Sequence, residues 1–451
     1  MQGYVKFPLL FHPLPDFSLK IIYFRCADTS PKPGIFVRWL LLFYMMLNRL
    51  LLLIPFWLLL DLYFFRLVKS ASEGLPPMWK RVVYGIYWGY DGVFIAALLY
   101  LKVSGGGIFS GYFFSLVGPM LLSFIPKLCI LPILLLWDAG WQISRKVKRR
   151  GTSPSPGRRK FINRVILGAS AVPFGYVLFG ITKGPYHYTV HRHTLYFDDL
   201  PPAFDGFTIT QLSDIHCGSL KDREAVERGV RLANAQQSDL MVFTGDFVNN
   251  EAAELRQWQD VFAALTAPFG VFSILGNHDY GDYKDWPSEE AKAANLEQFK
   301  ALQRDMGIRL LMDEHVKIEK DSEYINLIGV QNWGSRFRQY GDLDSALEGV
   351  EENTFSVLLS HDPSHWEAKV LPHSKPVHLT LSGHTHGMQF GVEIPGIKWS
   401  PAQYMYRQWA GMYSRDEQYI NVNRGFGFLG FAGRIGIWPE ISVITLRRKA
   451  Q

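Results

Sequence analysis

Two hydrophobic patterns meet near residue 185. From Gly34 to about Thr182 the chain is dominated by long apolar runs. Four of them, Leu50–Phe65, Val82–Leu101, Tyr112–Trp137 and Phe161–Ile181, approach the roughly 20 residues that a helix needs to cross a bilayer. One such run could be a buried helix of a soluble domain. Four in succession predict an all-α transmembrane region of about four helices. Asp91 and Lys127 fall inside the second and third runs, where an ionisable group is costly unless it faces a partner. A mutual contact is one reading; the stronger one breaks the third run at Pro126 and leaves Lys127 near an interface. Neither is assigned a catalytic role.

From Pro185 onward the pattern is that of a mixed globular domain. Tyr188–Leu195 alternates like an edge strand. Five short apolar runs, Phe207–Leu212, Asp239–Thr244, Gly270–Leu275, Ser356–Ser360 and His378–Ser382, each end on polar residues. Lys221–Gln236 and Glu251–Leu265 carry apolar residues at helical spacing between the early strands. Alternating strands and helices predict a layered α/β domain. Later strands at Tyr324–Gly329 and Tyr419–Val422, with Ile441–Leu446, predict a second sheet packed on the first, hence a β-sandwich flanked by helices. The expected organisation is an uncertain segment over 1–33, the helical membrane region over 34–184, and the α/β domain over 185–451.

Charge sets the expected orientation. The 451 residues carry a formal net charge of +6, and much of the excess sits between the third and fourth runs in Arg145–Arg150 and Arg158–Lys160. Positive loops stay in the cytoplasm, so the fourth span runs outward and the α/β domain lies outside the cytoplasmic membrane. The basic balance therefore needs no nucleic-acid partner. Arg158-Arg159-Lys160-Phe161-Ile162 also resembles a twin-arginine export signal, a reading weighed evenly against an ordinary basic anchor. No convincing cleavage site is visible, so the span is expected to remain as an anchor. Cys26, Cys129 and Cys217 are too few and too scattered for a disulfide framework or zinc finger.

The candidate chemistry lies at the strand ends, where open α/β sheets hold ligands. In order they read Asp214-Ile-His216, Gly245-Asp246, Gly276-Asn277-His278-Asp279, His361-Asp362 and Gly383-His384-Thr385-His386. A lone Asp-x-His is weak evidence, and Gly-Asp after a strand is ordinary turn chemistry. The ordered combination is specific. Carboxylate, imidazole and amide oxygen suit manganese, iron or zinc. The candidate ligands are Asp214, His216, Asp246, Asn277, His361, His384 and His386.

These five blocks resemble the calcineurin-like metallophosphoesterases over about Phe207 to Leu446. The membrane region, Asn423-Arg-Gly-Phe-Gly427 and Trp438-Pro-Glu-Ile441 resemble the family's transmembrane, often Tat-exported branch more narrowly. Met388 departs from that branch, which usually has a second glycine before Gln389. The resemblance implies two divalent cations, one held by Asp214, His216 and His386 and the other by Asn277, His361 and His384, with Asp246 bridging. It implies hydrolysis by an activated hydroxide, with His278 as the general acid and Asp279 orienting it.

The substrate is less legible. Trp333, Arg336, Phe337 and Arg338 form one basic-aromatic cluster, and Trp399, Tyr404, Tyr406, Arg407 and Trp409 form another. Core packing and contact with lipid head groups are weighed equally. With the anchor, they favour a membrane-borne phosphodiester or pyrophosphate of a lipid-linked or nucleotide-type substrate. Some relatives resemble UDP-2,3-diacylglucosamine pyrophosphatases of lipid A synthesis, but that reaction needs a cytoplasmic nucleotide and conflicts with the expected orientation. A transporter or scaffold with a non-catalytic domain is the rival from another class, disfavoured by the complete ligand set.

Overall fold

The computed structural model describes residues 54–103, 111–147 and 156–449. The first 33 residues and the start of the first apolar run lie outside them. Among the described residues five helices come first: α1 (54–71), α2 (Pro77–Val103), α3 (Gly111–Val147), α4 (Pro156–Ala169) and α5 (Ala171–Thr182). Among the described residues, three stretches are long and apolar enough to cross a membrane: Pro77–Tyr100, Leu116–Ile143 and Lys160–Thr182.

Two expectations about this region are corrected. The third run does not break at Pro126; α3 continues through Pro119, Pro126 and Pro132. Lys127 therefore sits within the span, and its partner is Asp61 of α1, not Asp91. Its Nζ also donates to Ser123 Oγ at 2.9 Å, and the Tyr87 hydroxyl donates to Asp61 Oδ1 at 2.7 Å. Asp91 accepts from Trp57 Nε1 at 3.1 Å. The fourth run, in turn, is two helices that meet at Ser170. Pro173 has no amide N–H to offer the carbonyl of Ala169, the residue at which α4 stops.

Beyond α5 the chain builds two six-stranded sheets. The first holds β1 (Thr189–Phe197), β2 (Thr208–Leu212), β3 (Leu240–Phe243), β4 (Val271–Ser273) and β5 (Ile308–Leu310). The second holds β6 (Glu314–Lys320), β7 (Glu323–Gly329), β8 (Ser356–Leu359), β9 (Leu379–Ser382), β12 (Gly411–Arg415) and β13 (Gln418–Val422). A separate hairpin pairs β10 (Val392–Ile394) with β11 (Ile397–Trp399). The last strand, β14 (Glu440–Arg448), returns to the first sheet, whose order is β1-β14-β2-β3-β4-β5. Ile441–Leu446 thus joins the first sheet and not the second, because its apolar residues complete the face beside β2.

The sheets pack face to face. Ile209, Val242, Phe272 and Ile444 of the first meet Ile325, Leu327, Val357 and Leu381 of the second in one buried core. Helix α6 (Arg223–Asn234) and α9 (Glu289–Asp305) cover the outer face of the first sheet. The side chain of Asp222 caps the first and that of Ser288 the second, each by accepting a first-turn N–H. The predicted helix over Glu251–Leu265 is instead two short turns, α7 (Ala253–Arg256) and α8 (Gln259–Phe262). Leu255, Trp258, Val261 and Phe262 of that stretch are all buried, so the break seats each of them in the core.

Candidate metal centre

Strands β2, β3, β4, β8 and β9 all end at one edge of the sandwich, and each delivers its polar residues there. Beneath them a buried amide network ties the sheets together. Gln211 donates to Thr244 Oγ1 at 3.0 Å and to the Ser382 carbonyl at 2.8 Å, and accepts from Asn421 Nδ2 at 2.8 Å. The loops above are clamped to one another by backbone bonds: Asp214 N to Gly245 O, His216 N to Asp246 O, and Gly383 N to His361 O, at 2.9 to 3.0 Å.

The backbone pays for this convergence in strain. Asp214, His216, Asp246, His384 and His386 all have positive φ, between 46° and 72°. Non-glycine residues rarely adopt that region, and where they do the site is commonly functional. Two glycines are required sterically. A Cβ at Gly276 would lie 2.2 Å from Asp246 Oδ1, and one at Gly383 would lie 2.2 Å from Asp214 Oδ2.

The side chains fall into two groups. Asp214, His216 and His386 place one ligand atom each within 4.8 Å of one another, and so do Asp246, His361 and His384. Asp246 Oδ2 lies 3.6 Å from His216 Nε2 and 3.1 Å from His361 Nε2, so this one carboxylate faces both groups. Asn277 Oδ1 lies 3.2 Å from His361 Nε2. All seven candidate ligands are thus brought together. Among the described residues, His216 Nε2 and His386 Nε2 are buried without a hydrogen-bond partner. Buried polar atoms are normally paired, and two imidazole nitrogens facing a carboxylate fit a cation.

Protonation agrees with ligation for three of the histidines. Burial pushes His216 down to about 3 and His384 down to about 4, and holds His386 well below the ordinary value. Their rings are neutral at pH 7, the form in which imidazole binds metal. Burial also opposes charge on His361, but Asp246 and Asp214 outweigh it and lift that group to about 10. Burial lifts the Asp214 carboxyl to about 6.

A further layer fixes the rings. His216 Nδ1 meets Asn249 Oδ1 at 3.1 Å, His361 Nδ1 donates to the Thr244 carbonyl at 2.7 Å, and His384 Nε2 meets the Tyr406 hydroxyl at 2.9 Å. Such contacts set ring orientation and ligand basicity. Arg434 is the unusual member. It is fully buried, donates to the Gly427 carbonyl from Nε at 2.9 Å, and donates from Nη2 to His386 Nδ1 at 3.1 Å. Burial lowers its pKa to about 9.

His278 and Asp279 separate in role. His278 N donates to Asp246 Oδ1 at 2.8 Å, and its ring stands 5.0 Å from that of His216 and 4.5 Å from that of Tyr283. Asp279 was expected to orient this ring. Its carboxylate instead accepts four backbone N–H groups, from Asp246, Gly276, Phe247 and Val248, at 2.8 to 3.2 Å. It builds the loop that presents Asp246. The carbonyl of Asn249, 2.8 Å from His278 Nδ1, orients the histidine.

The two basic-aromatic clusters divide in the same way. Phe337 lies edge-on to His384 with ring centroids 4.6 Å apart, and Tyr406 bonds the same histidine. Trp333 and Trp409 are packing residues, the former stacked near His365 and the latter buried with Ala402 and Ile437. Arg407 pairs with Glu367 at 3.1 Å. Tyr283, Asn249 and Arg434 escaped the sequence reading. Tyr283 lay within reach, four residues beyond Asp279; nothing in the local sequence marked the other two. Met388 occupies left-handed backbone (φ 51°), which accounts for glycine at that position in the branch it resembles.

The profile of the calcineurin-like phosphoesterases matches residues 207–388, and that of a probable calcineurin-like phosphoesterase transmembrane domain matches residues 44–185. An uncharacterized metallophosphoesterase of Bacillus subtilis, YkuE, is 30% identical over 267 residues, covering 58% of this chain and 87% of the relative. A transmembrane protein with metallophosphoesterase domain from Bos taurus is 28% identical over 366 residues, 74% of each chain. The phosphodiesterase YaeI of Escherichia coli is 25% identical over 295 residues, covering 64% of this chain and 98% of its own.

Proposed function

From the premise that this chain belongs to the calcineurin-like metallophosphoesterase family, we propose that it is a membrane-anchored, dinuclear-metal hydrolase of phosphodiester or pyrophosphate bonds. The observation that carries the reading is the shared carboxylate: Asp246 faces both ligand groups from 3.1 and 3.6 Å. Asp214, His216 and His386 would hold one divalent cation, manganese, iron or zinc, and Asn277, His361 and His384 the other. The cations would supply an activated water and neutralise the phosphate oxygens.

The chain's own part is proton transfer and positioning. With Nδ1 on the Asn249 carbonyl, His278 keeps Nε2 for the leaving oxygen, which it would protonate as general acid. Phe337, Tyr406 and Tyr283 flank the ligands and would orient the ester. The substrate we favour is lipid-linked or nucleotide-like, in keeping with the membrane helices. The basic residues between the third and fourth apolar runs support a cytoplasmic membrane location with the α/β domain outside. A UDP-2,3-diacylglucosamine pyrophosphatase would require the opposite side, so a reporter fused after Gln451 discriminates the two.

The test is hydrolysis of bis-p-nitrophenyl phosphate against the monoester by purified protein, with manganese and then with chelator. Diester preference abolished by chelator supports the reading. Inactivity with every divalent metal would favour a scaffold.

A further inference from the structure

The β10–β11 hairpin has its polarity inverted. Its register pairs Val392 with Trp399, Glu393 with Lys398 and Ile394 with Ile397. Neighbouring residues of a strand face opposite sides, so the two apolar pairs share one face and the charged pair takes the other. A ribbon lying in water turns its charges outward. Here Glu393 turns to the protein, accepting from Arg424 Nε at 2.9 Å and Nη2 at 2.6 Å. Lys398 Nζ donates to the Ala410 carbonyl at 2.5 Å and lies 5.0 Å from the Trp409 ring centre. The apolar residues are exposed, Ile394 and Ile397 each at 54%, while of the charged pair Glu393 is drawn in and Lys398 stays partly open beside them. Tyr404 and Met405, at 75% and 45%, extend the patch.

The position of the hairpin names what covers that face. Phe390, just before it, packs against the cluster of Val177, Phe431 and Ile435, against which Ile181 of α5 and Val117, Leu121 and Ile125 of α3 also pack. Gly391 donates to the Ile435 carbonyl at 2.9 Å. A Cβ at Gly436 would lie 2.1 Å from the Gly391 carbonyl and 2.9 Å from the Tyr176 hydroxyl. Tyr176 lies six residues before the end of α5 at Thr182, roughly 9 Å along a helix axis. The base of the hairpin is therefore level with the interior of the Lys160–Thr182 span. A contiguous apolar face at that depth, with Trp and Tyr at its rim, matches a surface lying in a bilayer boundary. The patch also leads to the metal centre, since Tyr406 follows Met405 and bonds His384.

We propose that the β10–β11 hairpin, with Tyr404 and Met405, is a wedge seated in the lipid leaflet on the metal centre's side, and that the site takes its phosphoester from that leaflet's surface. The second half rests on the phosphoesterase reading; the first does not.

The experiment uses full-length protein in phosphatidylcholine nanodiscs, in a Cys26→Ser, Cys129→Ser background that keeps the buried Cys217. Nitroxide labels are placed at Ile394→Cys and Ile397→Cys, with the exposed Glu348→Cys as reference. Power-saturation EPR then compares accessibility to oxygen and to a water-soluble nickel chelate. At 394 and 397 we expect oxygen access with nickel collisions reduced at least several-fold against 348. Nickel access equal to that at 348 overturns the proposal. So does shielding from both reagents, which would mean a second copy or another protein on the face. For the second half, a phosphatidyl diester with a chromogenic head group is offered in the same discs. Its hydrolysis supports delivery from the leaflet. Inertness toward it, with soluble diester still cleaved, overturns that half alone; inertness toward both defeats the phosphoesterase reading instead.

Discussion

Replacing His278 with alanine separates proton transfer from metal binding. The backbone N–H of residue 278 donates to Asp246 Oδ1 at 2.8 Å, and that bond survives the substitution. The ring itself touches the Asn249 carbonyl, Tyr283 and the edge of the His216 ring, and it hydrogen-bonds no candidate ligand. Truncation thus strips the imidazole from beside the site while leaving both ligand groups and the loop under Asp246 as they are. If the ring gives a proton to the leaving oxygen, its loss should cost about 10²- to 10⁴-fold in kcat, or about 3–5 kcal/mol of barrier.

The size of the loss should depend on the leaving group. An alkoxide needs the proton, whereas p-nitrophenolate departs without one. The assay is steady-state kinetics on an alkyl phosphodiester and on bis-p-nitrophenyl phosphate, beside metal content by elemental analysis. We expect the full loss on the alkyl ester, a much smaller one on the nitrophenyl ester, and metal near two per chain. Equal losses on both esters would refute proton transfer by this residue. A fall in metal content would refute the separation of His278 from the ligands.

Three further changes test the surrounding structure. Asp246→Asn removes the carboxylate that faces both groups, so metal content should drop below one per chain and activity with it; retained activity would sink the two-metal reading. Asp279→Asn replaces the acceptor of four backbone N–H groups by an amide with a single acceptor oxygen. Each buried N–H left unpaired costs about 1–3 kcal/mol, so the melting temperature should fall, and the losses on the alkyl and nitrophenyl esters should be equal. The third concerns pH. Burial holds His365 at about 4 against an ordinary 6.5. As pH falls below 6.5 the unfolded chain takes up this proton and the folded chain does not. Stability is therefore full above pH 6.5 and lost as pH falls toward 4, by up to about 3 kcal/mol. Denaturant unfolding between pH 4 and 7 should show that slope, flattened in His365→Gln; an unchanged slope would exonerate this group.

What the sequence disclosed depends on how local each cause is. The seven candidate ligands were legible because an apolar strand ending on a polar residue is a short-range signal, repeated five times. The membrane runs were legible because hydrophobic length is summed along the chain. The role of Asp279 was not, because four N–H groups from two separate loops decide it, and adjacency to His278 suggested a partner it does not have. Lys127 was read against Asp91, yet its partner is on α1, a choice made by helix packing. The break at Ser170 had a visible cause in Pro173, masked by the continuous hydrophobicity of the run. Glu289–Asp305 went unread as a helix even though Ser288 and two glutamates mark its start.

Arg434 shows how the membrane helices and the site are made one object. Its backbone N–H donates to the Gly180 carbonyl of α5 at 2.9 Å, while its guanidinium reaches His386 Nδ1 at 3.1 Å. That approach needs glycine on the helix and just beyond it: a Cβ at Gly180 would lie 2.6 Å from Ile435 Cγ1, and one at Gly184, in the turn after α5, would lie 2.2 Å from the Arg434 carbonyl. Arginine has no acceptor atom, so His386 Nδ1 must accept; the neutral ring then carries its proton on Nε2, 3.4 Å from Asp214 Oδ1, and a cation bound at Nε2 would displace that proton. The ring of a candidate ligand is thus held by a residue whose main chain is bonded to the end of a membrane span. In this fold the end of α5 is part of the support of the candidate metal centre, because the same loop that closes over α5 also carries the side chain that bonds a candidate ligand.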